Sequence, residues 1–297
     1  MHSRSQVTKF AAAATACALL VVGCAQSGPA ASRGAGTSLT ESDPLSPGQA
    51  EVACHIHDKR LVEISGLAAS IAHPGIVWTH NDSGDSARAF AIDTSDCAVR
   101  AVVRFGGANA RDIEGIGVGR DGLGKPVLWL ADIGDNLKSW PSVRQYRIPE
   151  PEQLGDHTVV ARTFTIRYPD GSHNAEALLV DPQPNGTMWI ATKRDAADGG
   201  IYEVPASLLT NGAAVLKRIG SDSPLTTDGS YAPDGRSFVL RTYVSATIFT
   251  APPPGSNPQP VAIPLQRQGE AVTFSADSAE LFLAGEASDE LWRLPLH

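Results

Sequence analysis

Short apolar runs of four to six residues recur along most of the chain, separated by Gly, Pro, Asn and Asp. Runs of that length bounded by turn residues predict short strands rather than long helices. The runs also repeat as units. A small or acidic residue precedes Gly or Ala and a first strand: Ser65-Gly66-Leu67, Glu114-Gly115-Ile116, Glu176-Ala177-Leu178, Asp228-Gly229-Ser230 and Glu270-Ala271-Val272. A more strongly apolar second strand follows each: Ile76–His80, Val127–Asp132, Met188–Thr192, Phe238–Thr242 and Leu281–Ala284. Third strands read at Ala89–Ile92, Gln145–Ile148, Ile201–Val204, Thr247–Thr250 and Glu290–Leu294, and fourth strands at Ala98–Phe105, Thr163–Tyr168, Ala214–Ile219 and Pro260–Pro264.

Four-stranded units at a spacing of about 42–62 residues predict an all-β protein, a β-propeller. The count is five blades; a sixth would need a unit lacking the pattern. The last unit stops after three strands, so Glu51–Leu61 is expected to supply its fourth, closing the ring by pairing the two ends and removing exposed edges. Trp78, Trp129, Trp189 and Trp292 fall inside the strands, where aromatic bulk is expected to serve packing. No helix of 12 or more residues is expected.

The N-terminal pattern differs. Arg4 and Lys9 precede an apolar stretch, Phe10–Val22, too short to span a bilayer. It ends in Val21-Val22-Gly23-Cys24, which reads as a lipobox: residues 1–23 are a lipoprotein signal and Cys24 takes the lipid. Residues 24–50, rich in Ala, Ser, Gly and Pro, form a flexible tether, and residues 51–297 form the propeller. The chain is thus expected outside the cytoplasm, anchored to the bacterial membrane. Cys17 departs with the signal, which leaves Cys54 and Cys97 for one disulfide, as suits an oxidising compartment.

With 24 Lys+Arg against 32 Asp+Glu, the formal charge is −8 and the basic residues do not cluster. That excludes a nucleic-acid binder, which needs a phosphate-neutralising patch. The partners expected instead are the membrane, through Cys24, and a small anionic ligand or an envelope protein, with the chain itself monomeric.

The first strand of a propeller blade lines the central channel, so Ser65, Glu114, Glu176, Asp228 and Glu270 are expected to form one ring, four of them acidic. Crowded carboxylates repel and must bind a cation, bind protons or pair with bases. Oxygen-rich sites suit Ca²⁺. The second strands deliver Asp82 and Asp85, Asp132 and Asp135, Lys193 and Arg194, Arg241 and Tyr243, and Glu286 to the same end. The metal candidates are therefore Asp82, Glu114, Asp132, Asp135, Glu176, Asp228 and Glu270. Glu114, Glu176 and His80 are candidates for proton transfer, and Lys193 and Arg241 for gripping an anion beside the cation.

Other signals are weaker. Gly119–Pro126 nearly matches a P-loop, but Pro126 replaces the metal-binding hydroxyl and no helix follows, so a hairpin turn is expected. His55 and His57 lie two apart on a strand and share a face; no Cys or further His completes a zinc set in sequence. No Gly-x-Ser-x-Gly elbow occurs.

Several stretches together resemble a known family: Val77-Trp-Thr-His-Asn-Asp-Ser-Gly-Asp85, Asp112-Ile-Glu-Gly-Ile116, Ala131-Asp-Ile-Gly-Asp-Asn136, Asn174-Ala-Glu-Ala-Leu178 and Arg241-Thr-Tyr243. The chain is similar over roughly residues 62–290 to the bacterial exported propellers called phytase-like, or "esterase-like activity of phytase", proteins. The resemblance implies a propeller with acidic residues around its channel and hydrolysis of phosphoesters. True phytases have six blades, against the five counted here. The function expected is a lipid-anchored, metal-assisted phosphoester or ester hydrolase, with a non-enzymatic ligand- or protein-binding propeller as the alternative.

Overall fold

The computed structural model describes residues 49–194, 197 and 199–296. The signal segment, Cys24 and the tether before residue 49 lie outside the described residues. Five antiparallel units make up the fold. Blade 1 runs Ile64–Ala69, Ile76–Asn81, Arg88–Asp93 and Val99–Gly106. Blade 2 runs Ile113–Arg120, Pro126–Asp132, Val143–Pro149 and Arg162–Arg167. Blade 3 runs Ala175–Val180, Met188–Thr192, Ile201–Val204 and Lys217–Gly220. Blade 4 runs Thr226–Tyr231, Ser237–Thr242, Ala246–Thr250 and Ser256–Val261. Blade 5 runs Gly269–Phe274, Glu280–Gly285 and Glu290–Pro295, and Glu51–His55 pairs with its third strand. The five-bladed propeller closed by its two ends is the expected architecture.

Each inner strand packs on its counterparts in the two neighbouring blades, so both faces are dry. Ala175–Val180 and Gly269–Phe274 are buried at every position, which is why they read as continuous apolar runs rather than alternating ones. The core is a ring of five clusters, one in each gap between blades. Trp78 lies between blades 1 and 2 with Leu128 and Tyr146. Trp129 lies between blades 2 and 3 with Phe164 and Leu178, and Trp189 between blades 3 and 4 with Phe238 and Leu240. Val239, Val272 and Leu283 fill the next gap, with Trp292 against it. Leu67, Val77, Phe282 and Leu291 seal blade 5 against blade 1. The near P-loop is a hairpin: Asp121 N–H donates to Lys125 O, and Gly124 turns with a positive φ of 77°.

Two elements depart from the expected layout. His157–Val160 adds a parallel strand outside blade 1, and Ala213–Val215 does the same outside blade 2. The expected fourth strand Ala214–Ile219 is therefore two strands on two blades, separated by the buried Leu216. The outer strand of blade 4 is Ser256–Val261, earlier than Pro260–Pro264. Ser207–Asn211 is a short helix; among the described residues no helix is long and apolar enough to cross a membrane.

Cys54 and Cys97 form the disulfide. Cys54 sits on the strand that closes blade 5, and Cys97 in the turn between the last two strands of blade 1. The bridge thus ties the two sides of the seam where the ring closes. Removing a cross-link that spans 43 residues frees the unfolded chain. Cys54→Ser/Cys97→Ser is expected to lose about 2–4 kcal/mol of unfolding free energy, read as a lower urea midpoint. A midpoint equal to the parent's would show that the seam holds without it.

Candidate functional site

One backbone irregularity builds the channel mouth. In every blade the pairing of the first two strands skips a residue at the same place: between Ile64 and Gly66, Ile113 and Gly115, Ala175 and Ala177, Thr226 and Asp228, and Gly269 and Ala271. A β-bulge re-aims the side chain of the extra residue. The bulged residues are Ser65, Glu114, Glu176, Thr227 and Glu270. Ser65 Oγ already reaches the next blade, donating to Glu114 Oε2 at 2.9 Å.

This register corrects the ring by one residue in blade 4. Thr227, not Asp228, is the counterpart of the three glutamates. Asp228 pairs with Arg241 where blade 1 has Gly66 with His80 and blade 2 has Gly115 with Ala131. It is fully buried, and Oδ2 accepts N–H donors from Val272 (2.8 Å) and Leu67 (3.4 Å). Burial pushes its carboxyl well above the ordinary range. Arg241 is also fully buried; its guanidinium donates to Ala271 O at 2.7 Å, Ala284 O at 3.3 Å and Gln266 Oε1 at 3.2 Å. Neither reaches the rim, so Asp228 as a metal ligand and Arg241 as an anion grip are replaced by a structural role. His80 is likewise buried, with Nδ1 3.0 Å from Asn81 O, and burial lowers its pKa. It is a neutral core group, which removes it from proton transfer at the open rim.

The acidic doublets divide in a regular way. Asp85 and Asp135 hold their loops. Asp85 pairs with Arg88 at 2.8 Å and accepts from Asn81 Nδ2 at 2.7 Å. Asp135 accepts the N–H groups of Ser139 (3.0 Å) and Trp140 (2.8 Å). Asp132, fully buried, is saturated by Asp112 N–H (2.9 Å), Arg111 N–H (3.2 Å) and the Tyr146 hydroxyl (3.0 Å). Asp132 and Asp135 are thus engaged in the hydrogen bonds that shape the loops around the mouth. Asp82 is different.

Asp82, Asp112 and Glu114 bring one carboxylate oxygen each within 4.8 Å of one another. Asp112 was absent from the sequence-derived ligands. The signal lay in the residue two before each bulge, which is Glu63, Asp112, Asn174 or Gln268 in four blades and Leu225 in the fifth. Burial, then Asp82 and Glu176, pushes Asp112 up to about 7. Burial with Glu176 and Asp82 raises Glu114 well above its ordinary range. Gly134 closes this cradle from behind: a Cβ there would lie 2.4 Å from Asp112 Oδ2 and 2.6 Å from Glu114 Oε1. Only glycine lets that loop approach the two carboxylates so closely.

Across the mouth stands Lys193, 3.1 Å from Glu176 Oε1 and 4.8 Å above the Tyr243 ring. Burial opposes its charge, but Glu176 and Glu270 outweigh it and hold the ammonium protonated. Asn174 Nδ2 donates to the same Glu176 oxygen at 3.1 Å. Gln268 bridges Glu270, at 3.4 Å, and Glu286. Burial, with Glu176 and Glu286 adding to it, pushes Glu270 up to about 7; burial, with Asp82 and Glu63, does the same to Glu286. Asp82 thus acts electrostatically on Asp112, Glu114, Glu176 and Glu286 together. Groups from blades 1, 2, 3 and 5 face one space, with surplus negative charge on one side and a partly buried ammonium on the other.

Fold and site together define a five-bladed β-propeller with an acidic channel mouth. No protein-family model matches the chain, and no curated protein sequence matches it. Among solved structures, a Xanthomonas campestris gluconolactonase, described as important in glucose secondary metabolic pathways, is similar with a TM-score of 0.48 and 13% identity, over 86% of this chain and 97% of that one.

Proposed function

We propose that this propeller is a divalent-cation-dependent hydrolase of an anionic ester, phosphoester or related, held outside the cytoplasm by lipid on Cys24. The convergence of Asp82, Asp112 and Glu114 carries the reading. Their oxygens are of the hard type that Ca²⁺ prefers over imidazole or thiolate sites, and the Gly134 cradle leaves room where a side chain would otherwise crowd them. A bound cation would supply Lewis-acid polarisation of the ester oxygen. The chain's own groups do the rest. Lys193 meets the negative charge of the ligand. Glu270 and Glu286, each near 7, lie in the range where a carboxyl both accepts and returns a proton at neutral pH.

The test is a calcium titration of the purified protein beside a hydrolysis panel of phosphomonoesters, phosphodiesters and carboxylic esters. Calcium binding is expected to vanish in Glu114→Gln and Asp112→Asn. Turnover is expected to cease with chelator and to fall about 100-fold or more in Glu270→Gln if that residue transfers the proton. Calcium binding without turnover on any ester would leave a ligand-binding propeller. No calcium binding would overturn the reading.

A further inference from the structure

A second donor cluster, of a different kind from the carboxylate mouth, lies where the outer closing strand of blade 5 meets the turn before the last strand. His55 and His57 flank Ile56 at the end of the closing strand. Ile56 is buried against the seam between blades 5 and 1, so the two imidazoles both stand outward. Their rings are parallel, 6° apart, with centroids at 6.1 Å. Asp289 completes the set from the turn before the last strand: its Oδ2 lies 3.3 Å from His55 Nδ1 and 4.0 Å from His57 Nδ1. Ile56 N–H donates to Asp289 O at 2.6 Å, fixing the two segments side by side. The sequence alone showed two histidines on one face; the fold supplies the third ligand from 232 positions further along the chain.

We propose that His55, His57 and Asp289 form a binding site for a divalent first-row transition metal such as Zn²⁺. Two imidazoles and one carboxylate are a donor set such ions favour, and a fourth position stays open to water. The side chains of His55 and His57 are 50% and 83% exposed, which leaves room for the ring rotations that would bring both nitrogens onto one ion. The site bridges the closing strand and the turn leading into the strand it pairs with. A bound ion would therefore pin the end of the ring by a link separate from the Cys54–Cys97 bridge, because ligands binding only the native state stabilise it.

Zn²⁺ titration of the whole protein by calorimetry, in excess Ca²⁺ to keep the carboxylate mouth occupied, tests this. The expected result is one Zn²⁺ per chain and a higher thermal midpoint with Zn²⁺. His55→Ala and His57→Ala should each weaken that binding at least about tenfold, since even outer-sphere losses cost that much. Asp289→Asn should weaken it as well. Each variant should keep the parent's midpoint without zinc, because all three side chains are largely exposed. Cu²⁺ should bind more tightly than Zn²⁺ at the same residues. An isotherm in the double histidine variant that overlays the parent's would overturn the proposal, as would a midpoint indifferent to zinc.

Discussion

Arg241→Met is expected to lower the unfolding free energy by about 3–5 kcal/mol. The substitution keeps most of the side chain's length and apolar stem, so little of the loss is a cavity. What goes is the charged head. The guanidinium joins blade 4 to blade 5 through the carbonyls of Ala271 and Ala284 and the amide of Gln266, and it also donates to Thr242 O. Those carbonyls belong to Ala271 and Ala284, the register pair next to the blade 5 bulge. Without Arg241 they stay buried and lose that donor, and a buried acceptor short of a partner costs more than the net worth of the bond itself. Burial lowers the Arg241 pKa only to about 10, with nearby Asp228 and Glu270 opposing the shift, so the group stays charged at neutral pH. Asp228→Asn should cost clearly less. Burial already favours its neutral form, and an amide oxygen can still accept from Val272 N–H. The check is urea unfolding: a lower midpoint with unchanged slope. A loss in Arg241→Met below about 1 kcal/mol would mean that water enters and satisfies the carbonyls.

The same pair explains where the sequence was readable and where it was not. Inner and second strands are buried on both faces and announce themselves as apolar runs. The outer strand of blade 4 does not. Its first five residues are exposed, so no hydrophobic pattern marks it. The two parallel additions, His157–Val160 and Ala213–Val215, are short and largely solvent-facing for the same reason. At the site, the repeat revealed Glu114, Glu176 and Glu270 correctly as equivalents, because a small residue follows each one. In blade 4 the same small residue, Gly229, follows Asp228 and shifted the alignment by one. Asp228 stands where the other blades have Gly or Ala, Arg241 where three have Ala and blade 1 has His80, and Gly229 where the others have Leu, Ile or Val. That exchange of bulk is invisible without the cross-strand register. Asp112 stands in the Asp112-Ile-Glu-Gly-Ile116 motif with no repeat to mark it as a ligand, since only the bulge shows that the residue two positions before it also turns toward the mouth.

The apoprotein is expected to lose thermal stability as pH rises from about 5.5 to about 8, and Ca²⁺ is expected to reverse that loss. The sign follows from the raised carboxyls. Asp112, Glu270 and Glu286 titrate near 7 in the fold, against 3.8 and 4.5 for their ordinary values. Between those limits the folded chain binds more protons than the unfolded one. The stability these groups contribute therefore falls as pH rises, most steeply between the ordinary and the folded values and levelling off above the latter; below about pH 4 these groups cost nothing. The expected loss is on the order of a few kcal/mol, after discounting half-buried Glu286 for solvent screening. Carboxyls held low elsewhere, such as Asp85 and Asp93, pull the other way only at pH near or below 4, so they leave this window untouched. A cation at Asp82, Asp112 and Glu114 needs the ionised forms, and its affinity rises over the same interval as protons leave. Scanning calorimetry at both pH values, with Ca²⁺ and with chelator, separates the terms. The calcium-induced rise in midpoint should be small at about pH 5.5, large at about pH 8, and absent in Glu114→Gln at either. A midpoint in chelator that does not change with pH would mean that the mouth carboxyls titrate normally, in water, and the crowding that argues for a cation would be gone.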